Sequence, residues 1–160
     1  MTIAIYPGRF DPVTAGHLDI VRRGAALFDR VIVSVFEAPE RQTLFNTQER
    51  MEMFALGVTD LANVEVRSFS GLVVDWAHQV KATAIVRGIR MNADFEYEFE
   101  MALMNRKLAP DVDVVCLMTD IRYQFVRASL IKEVARLGGD ISGLAPDNVI
   151  AALKERYSQS

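Results

Sequence analysis

Ile3-Ala4-Ile5-Tyr6-Pro7-Gly8-Arg9-Phe10-Asp11-Pro12-Val13-Thr14-Ala15-Gly16-His17 joins a short β-branched run, a Gly- and Pro-bearing turn and the opening of a helix. Ile3 to Tyr6 predicts a first strand, ended by Pro7-Gly8. From His17 to Phe28 the apolar positions Leu18, Val21, Ala25 and Phe28 recur at helical spacing. A strand that turns directly into a helix is the first half of a βαβ unit.

Outward from this stretch the alternation repeats. Val31 to Phe36 is a second strand, and its near-continuous apolar character suits burial on both faces. Asn46 with Glu49 three residues later resembles a capping box, opening a helix to about Asp60. Val64-Glu65-Val66 predicts a third strand, Leu72 to Val80 a helix, and Thr83 to Val86 a fourth strand ended by Arg87-Gly88. Asp94 is placed to cap a helix whose apolar face is Phe95, Phe99, Ala102 and Leu103. Its acids come early and its bases late, as the helix dipole prefers. Val112 to Met118 is a fifth strand. Ser129 opens a helix that Gly138-Gly139 stops, and Pro146-Asp147 starts a last one. Strand and helix thus alternate five times, with one helix more. The expectation is a doubly wound, five-stranded parallel sheet with helices on both faces and an extra C-terminal helix.

Composition sets bounds. The chain has 160 residues, which suits one domain spanning 1–160. With 51% apolar and 24% charged residues, disorder is not expected. The net charge of −3 speaks against a general nucleic-acid or membrane-surface binder. Cys116 is the single cysteine, so no internal disulfide forms. With His17 and His78 as the two histidines, a Cys/His zinc site is not expected either. No apolar run reaches the roughly 20 residues of a membrane span, and no basic segment precedes the first apolar stretch. A soluble, cytoplasmic protein is expected.

Ligands of doubly wound sheets bind beyond the carboxyl ends of the strands. Arg9, Arg87 with Arg90, and Arg122 with Arg127 follow strands one, four and five, and Arg41 follows strand two. In an acidic chain this is a concentrated positive rim. In the first loop, Gly8 and Gly16 let the backbone approach a ligand, and a helix start there favours phosphate. His17 can donate to a phosphate oxygen; read alone, it is equally a surface histidine at a turn. The stretch is neither a P-loop nor a dinucleotide-binding turn. Arg87 and Arg90, around Gly88-Ile89, offer guanidinium forks suited to phosphate, or form a solvated basic loop. Ser129 could bind an anion or be a plain N-cap. Glu98 could accept from a ribose hydroxyl or face solvent. Trp76 and His78 read as packing residues.

Taken together, Tyr6-Pro7-Gly8-x-Phe10-Asp11-Pro12, Thr14-Ala15-Gly16-His17, Asn63-Val64-Glu65-Val66, Arg87-Gly88-Ile89-Arg90, Asp94-Phe95-Glu96-Tyr97-Glu98, Met104-Asn105-Arg106 and Lys132-Glu133-Val134 resemble the nucleotidyltransferase superfamily that carries Thr/His-x-Gly-His. More narrowly they resemble the bacterial phosphopantetheine adenylyltransferase family, over nearly the whole chain. The resemblance implies a Rossmann-like fold and reversible adenylyl transfer from ATP to 4′-phosphopantetheine. The products would be dephospho-coenzyme A and pyrophosphate, with Mg²⁺ as cofactor, in a cytoplasmic homohexamer. It implies catalytic roles for His17, Arg90 and Ser129, with no metal ligand among the side chains. For ATP it implies Arg9, Phe10, His17, Gly88, Ile89, Arg90, Glu98 and the run Tyr123, Gln124, Phe125, Val126, Arg127, Ala128, Ser129. For phosphopantetheine it implies Arg9, Arg41, Val73 and Arg87.

The chain departs from the family pattern at four places. Arg9 stands where a small hydroxyl is usual, and Arg41 where lysine is. Arg127 and Ala128 replace serines, and Gly71 replaces an acidic residue common in part of the family. Arginine supplies 14 of the 18 bases, which fits a lysine-to-arginine exchange at 41. The chemistry implied suits these residues. A phosphate nucleophile is already ionised at pH 7, so catalysis reduces to positioning two polyanions in line and neutralising charge. Two other readings compete. One is a different adenylyl or cytidylyl transferase, such as one acting on nicotinamide mononucleotide. The other is a non-catalytic ATP-binding module, which would have no need of His17.

Overall fold

The computed structural model describes residues 1–39 and 42–159. Five strands, β1 (Ile3–Gly8), β2 (Arg30–Phe36), β3 (Val64–Phe69), β4 (Ala84–Ile89) and β5 (Asp113–Met118), form one sheet in the order β3-β2-β1-β4-β5. Every pairing is parallel. The helices are α1 (Ala15–Leu27), α2 (Thr47–Leu56), α3 (Val73–Gln79), α4 (Asn92–Leu108), α5 (Ala128–Arg136) and α6 (Asp147–Ser158), with a short 3-10 turn at Ile121–Tyr123. The chain winds outward from β1 to β3 and then returns to β4 beside β1. The expected doubly wound, Rossmann-like fold is the one observed.

Alternation along the strands explains the two layers of core. Ala4, Tyr6, Val31, Val33 and Val35 face one side, with Ile20, Val21, Phe54, Ile131, Val149 and Leu153 of the helices packed there. Ile3, Ile5, Ile32 and Ile85 face the other, against Val74, Trp76 and Ala77 of α3. Trp76 is the packing residue the sequence predicts, and its Nε1–H donates to the buried Ser34 Oγ at 2.8 Å. His78 lies on the surface instead, 3.1 Å from the Asp111 carboxylate.

Several boundaries differ from expectation, and four of them bear on the site. β1 and β4 do not stop at Tyr6 and Val86 but run on through Gly8 and Ile89. Pairing with β2 carries Pro7 and Gly8 into the sheet, opposite Ser34 and Val35. The direct β1–β4 register is confined to Ala4–Ala84 and Ile5–Ile85. Beyond it, Arg87 Nη1 spans the two strands and donates to Pro7 O at 2.8 Å. Asp94 does not cap α4: the helix begins at Asn92, and the Asp94 carboxylate accepts from the Arg90 amide and guanidinium. Ser129 does not open α5, which starts at Ala128.

The apolar face expected for α4 also faces the other way. Phe95, Phe99 and Leu103 are 52%, 56% and 57% exposed. The buried positions of α4 are Glu98 and Asn105. Seven residues apart, they share a stripe with Met101, Ala102 and Leu108, all of which line a cavity rather than the core.

Candidate active site

Two cavities adjoin at the carboxyl ends of β1 and β4, where the strand order reverses. One, of about 420 Å³, is lined by the first loop, the end of β4 and the start of α5. The other, of about 520 Å³, lies between the sheet and α4 and is largely apolar, with Phe36, Phe69, Leu72 and Val73 in its wall. Pro7, Gly8, Arg9, Arg87 and Glu98 line both.

The polar cavity is built on the turn that opens the chain. Thr14 caps α1, and His17 completes a reciprocal capping box. Its Nδ1 accepts the Thr14 backbone N–H at 3.0 Å, and its own N–H donates to Thr14 Oγ1. With Nδ1 an acceptor, the neutral ring carries its proton on Nε2. Burial, and then the charges of Arg90 and Arg87, pull its pKa down to about 3. His17 is therefore a neutral hydrogen-bond donor at pH 7, not an imidazolium. Beneath it the Phe10 ring packs edge-on at 5.0 Å. Phe10 has φ 50, a conformation that L-residues rarely adopt. Its ring is buried against Tyr6 and Phe54, so what it presents to a ligand is backbone. A Cβ at Gly8 would meet that ring at 2.8 Å, which leaves glycine as the residue that fits.

Cations outnumber acids on this cavity by two: Arg9, Arg87, Arg90, Arg127 and Lys132 against Asp11, Asp94 and Glu98. Each acid holds a cation in place. Arg87 is forked onto Glu98, Nε to Oε2 at 2.8 Å and Nη2 to Oε1 at 2.6 Å. Burial works against the Arg87 charge, but the Glu98 hydrogen bonds raise its pKa nonetheless. Arg90 Nε meets Asp94 Oδ2 at 3.1 Å, and its Nη1 donates to Val126 O. Lys132 Nζ meets Asp11 Oδ2 at 2.9 Å, and Asp11 is fixed by the amides of Leu44 and Phe45. Among the described residues, Arg9 and Arg127 make neutral hydrogen-bond contacts: Gln42 Oε1 at 3.4 Å and Met91 Sδ at 3.7 Å.

The structure thus brings Arg9, Phe10, His17, Gly88, Arg90, Glu98, Val126, Arg127, Ala128 and Ser129 to one cavity. Val73 goes to the other, and Arg87 to both. Glu98 is buried on Arg87 rather than solvated. Ile89 is buried at the end of β4 and lines neither cavity. Tyr123 packs on Gly16, while Gln124 and Phe125 are exposed just after the 3-10 turn. Arg41 lies outside the described residues. Sequence reasoning missed Asp11 and Lys132, though both stand inside motifs it quoted. It also missed the apolar wall, which no local pattern announces. A Mg²⁺ ion finds no cage of side chains: among the described residues no three His, Cys, Asp or Glu cluster as ligands. The three acids on the polar cavity are committed to cations.

Residues 5–134 match the cytidylyltransferase-like family model. The phosphopantetheine adenylyltransferase of Caldanaerobacter subterraneus is 50% identical over 160 residues, covering 100% of both chains. That of Thermomicrobium roseum is 53% identical over 157 residues, covering 96% of this chain and 94% of its own. A Vibrio parahaemolyticus structure titled as a candidate nicotinate-nucleotide adenylyltransferase superposes with a TM-score of 0.73 at 18% identity, over 96% of this chain and 99% of the other. That last likeness speaks to the fold.

Proposed function

The chain belongs to the cytidylyltransferase-like family, and within it to the phosphopantetheine adenylyltransferases; from that premise we propose how its two cavities carry out the reaction. The enzyme transfers an adenylyl group from ATP to 4′-phosphopantetheine, giving dephospho-coenzyme A and pyrophosphate. The observation that carries the structural reading is the shared wall. A cationic cavity suits the nucleotide's polyphosphate, an apolar one suits the pantetheine arm, and Arg9, Arg87 and Glu98 stand where they meet.

In this reading the phosphate of phosphopantetheine attacks the α-phosphorus of ATP at that wall. The bond from α-phosphorus to the bridging oxygen breaks, and pyrophosphate leaves. His17 Nε2–H and Arg90 donate to the oxygens on which charge accumulates, and Ser129 with the start of α5 takes part in holding the phosphates. Because His17 is neutral, it stabilises by hydrogen bonding and keeps its proton. Arg87, held rigid by Glu98 and Pro7 O, positions the nucleophile. Mg²⁺ would be held by the phosphates of ATP rather than by a cage of side chains and would shield their charge, in keeping with the ion's preference for phosphate and water ligands.

Phe95, Phe99, Leu103 and, on the edge strand, Met118 leave an apolar surface about half exposed or more. It is the surface on which we place the contacts of a homohexamer, in the cytoplasm. No helix among the described residues is long and apolar enough to cross a membrane. Pyrophosphate release from ATP tests the reaction. It should require phosphopantetheine and fail with nicotinamide mononucleotide. Release with nicotinamide mononucleotide alone, or ATP binding without release, would overturn it. Light scattering tests the assembly, and a monomer at micromolar concentration would exclude it.

A further inference from the structure

Among the described residues, Arg50 is the largest side chain that is fully buried, at 0% exposure. It projects from the first turn of α2 into the space behind the first loop. Its partners come from three segments. Nη1 donates to Arg9 O at 2.6 Å and to Phe36 O at 2.9 Å, Nε to Phe45 O at 3.1 Å, and Nη2 to Thr47 Oγ1 at 3.0 Å. None of these acceptors is a carboxylate. A buried guanidinium hydrogen-bonded to three carbonyls and a hydroxyl is an expensive way to fill a core, where an apolar residue of similar size is commonly as stable or more so.

What the guanidinium does that no apolar residue could is tie three carbonyls from separate segments to one rigid group. The Arg9 carbonyl is the consequential one, because it belongs to the peptide that leads into Phe10 at φ 50. On one side of that peptide, the Arg9 side chain lines both cavities. On the other, the Phe10 ring supports His17 edge-on. Tying Arg9 O to Phe36 O also locks the end of β1 to the end of β2.

We propose that Arg50 is a positioning residue: it holds the Arg9–Phe10 turn so that His17 and Arg9 meet the reacting phosphates at the junction of the two cavities. It touches neither substrate and acts through its hydrogen bonds to backbone. The proposal rests on the adenylyl-transfer reading for its kinetic consequences but not for its structural one.

Arg50→Lys keeps the charge and most of the bulk, but one ammonium cannot reach carbonyls on three segments. Displacements near 1 Å cost on the order of 10²-fold in rate. The variant should keep its far-UV circular dichroism, lose about 10–100-fold in kcat and change KM for ATP less than about three-fold. Added to His17→Ala, it should cost less in kcat than it does in the wild type, since part of its effect acts through His17. A readout independent of activity is the histidine NMR spectrum, which holds His17 and His78. In Arg50→Lys the His17 ring resonances should move while those of the distant, Asp111-paired His78 stay. Unmoved His17 resonances, unchanged kcat, or losses that simply multiply with those of His17→Ala would overturn the proposal. So would an unfolded Arg50→Lys, which would make the residue a staple of the fold only. Inactive wild type with His17 shifted in Arg50→Lys would sink the adenylyl-transfer reading and leave the positioning role standing.

Discussion

The two cavities are built by opposite means. The polar one is held by hydrogen bonds and ion pairs: a capped turn with His17 and Phe10, an Arg87–Arg90 segment ending in an Asp94 latch, and a Lys132–Asp11 pair. The apolar one takes its wall from side chains packed between β2, β3, α3 and α4, with Phe69 to Val74 supplying a nearly continuous run. The polar cavity therefore depends on hydrogen-bond geometry, which a single substitution can break. The apolar cavity depends on shape, which tolerates change in proportion to the volume altered.

That contrast can be broken at the polar end first. His17→Ala should lower kcat by about 10²–10³-fold, the usual loss for one transition-state donor, with ATP affinity by calorimetry nearly unchanged. Near-normal turnover would remove His17 from the chemistry. The same variant has a pH signature. The native ring stays unprotonated down to about pH 3, whereas an unfolded histidine takes a proton below 6.5. The unfolded state thus binds more protons in that window, and wild type loses stability as pH falls from 6.5 towards 3. His17→Ala should lose less over the same range, as urea midpoints would report.

Arg87→Ala tests the shared wall. Loss of a rigid charge-assisted contact should raise KM for phosphopantetheine by about 10–100-fold and KM for ATP far less. Glu98→Gln should shift the same constant in the same direction, because it frees the guanidinium that Glu98 holds. Equal changes for both substrates would place Arg87 wholly on the nucleotide side.

Arg9→Ser sharpens the comparison, since Arg9 borders both cavities and its side chain hydrogen-bonds to the neutral Gln42. If its guanidinium reaches phosphate, affinity for phosphopantetheine or ATP should fall about 3–10-fold and become less sensitive to salt. Affinity and salt dependence unchanged in binding titrations would leave the role to the loop's backbone N–H groups. The smallest effect belongs to the apolar side. Ala102→Leu narrows that cavity from α4 and should raise KM for phosphopantetheine about 2–5-fold, with the ATP constants untouched. A matching rise for ATP would mean the two cavities are not separate.

Much of this molecule was legible in its residues. The strand-and-helix alternation determined the doubly wound sheet, because continuous β-branched runs separated by helical periodicity admit few other arrangements. The same alternation pointed to the strand ends, and the glycines, His17 and the arginines there determined where anions would go. Side-chain commitments were not legible. Whether Arg87 is free or forked onto Glu98, and whether Asp94 caps a helix or latches Arg90, depends on contacts between segments that meet only in the folded chain. The inward face of α4 is not legible for a related reason. Its amphipathic pattern shows Phe95, Phe99 and Leu103 on one stripe, but a stripe can face a core, a cavity or another molecule. Burial of Arg50 lay furthest beyond the sequence, since a basic residue in the first turn of a helix reads as solvated. Only the tertiary structure, by bringing three carbonyls from separate segments around one guanidinium, decided that it would be inside.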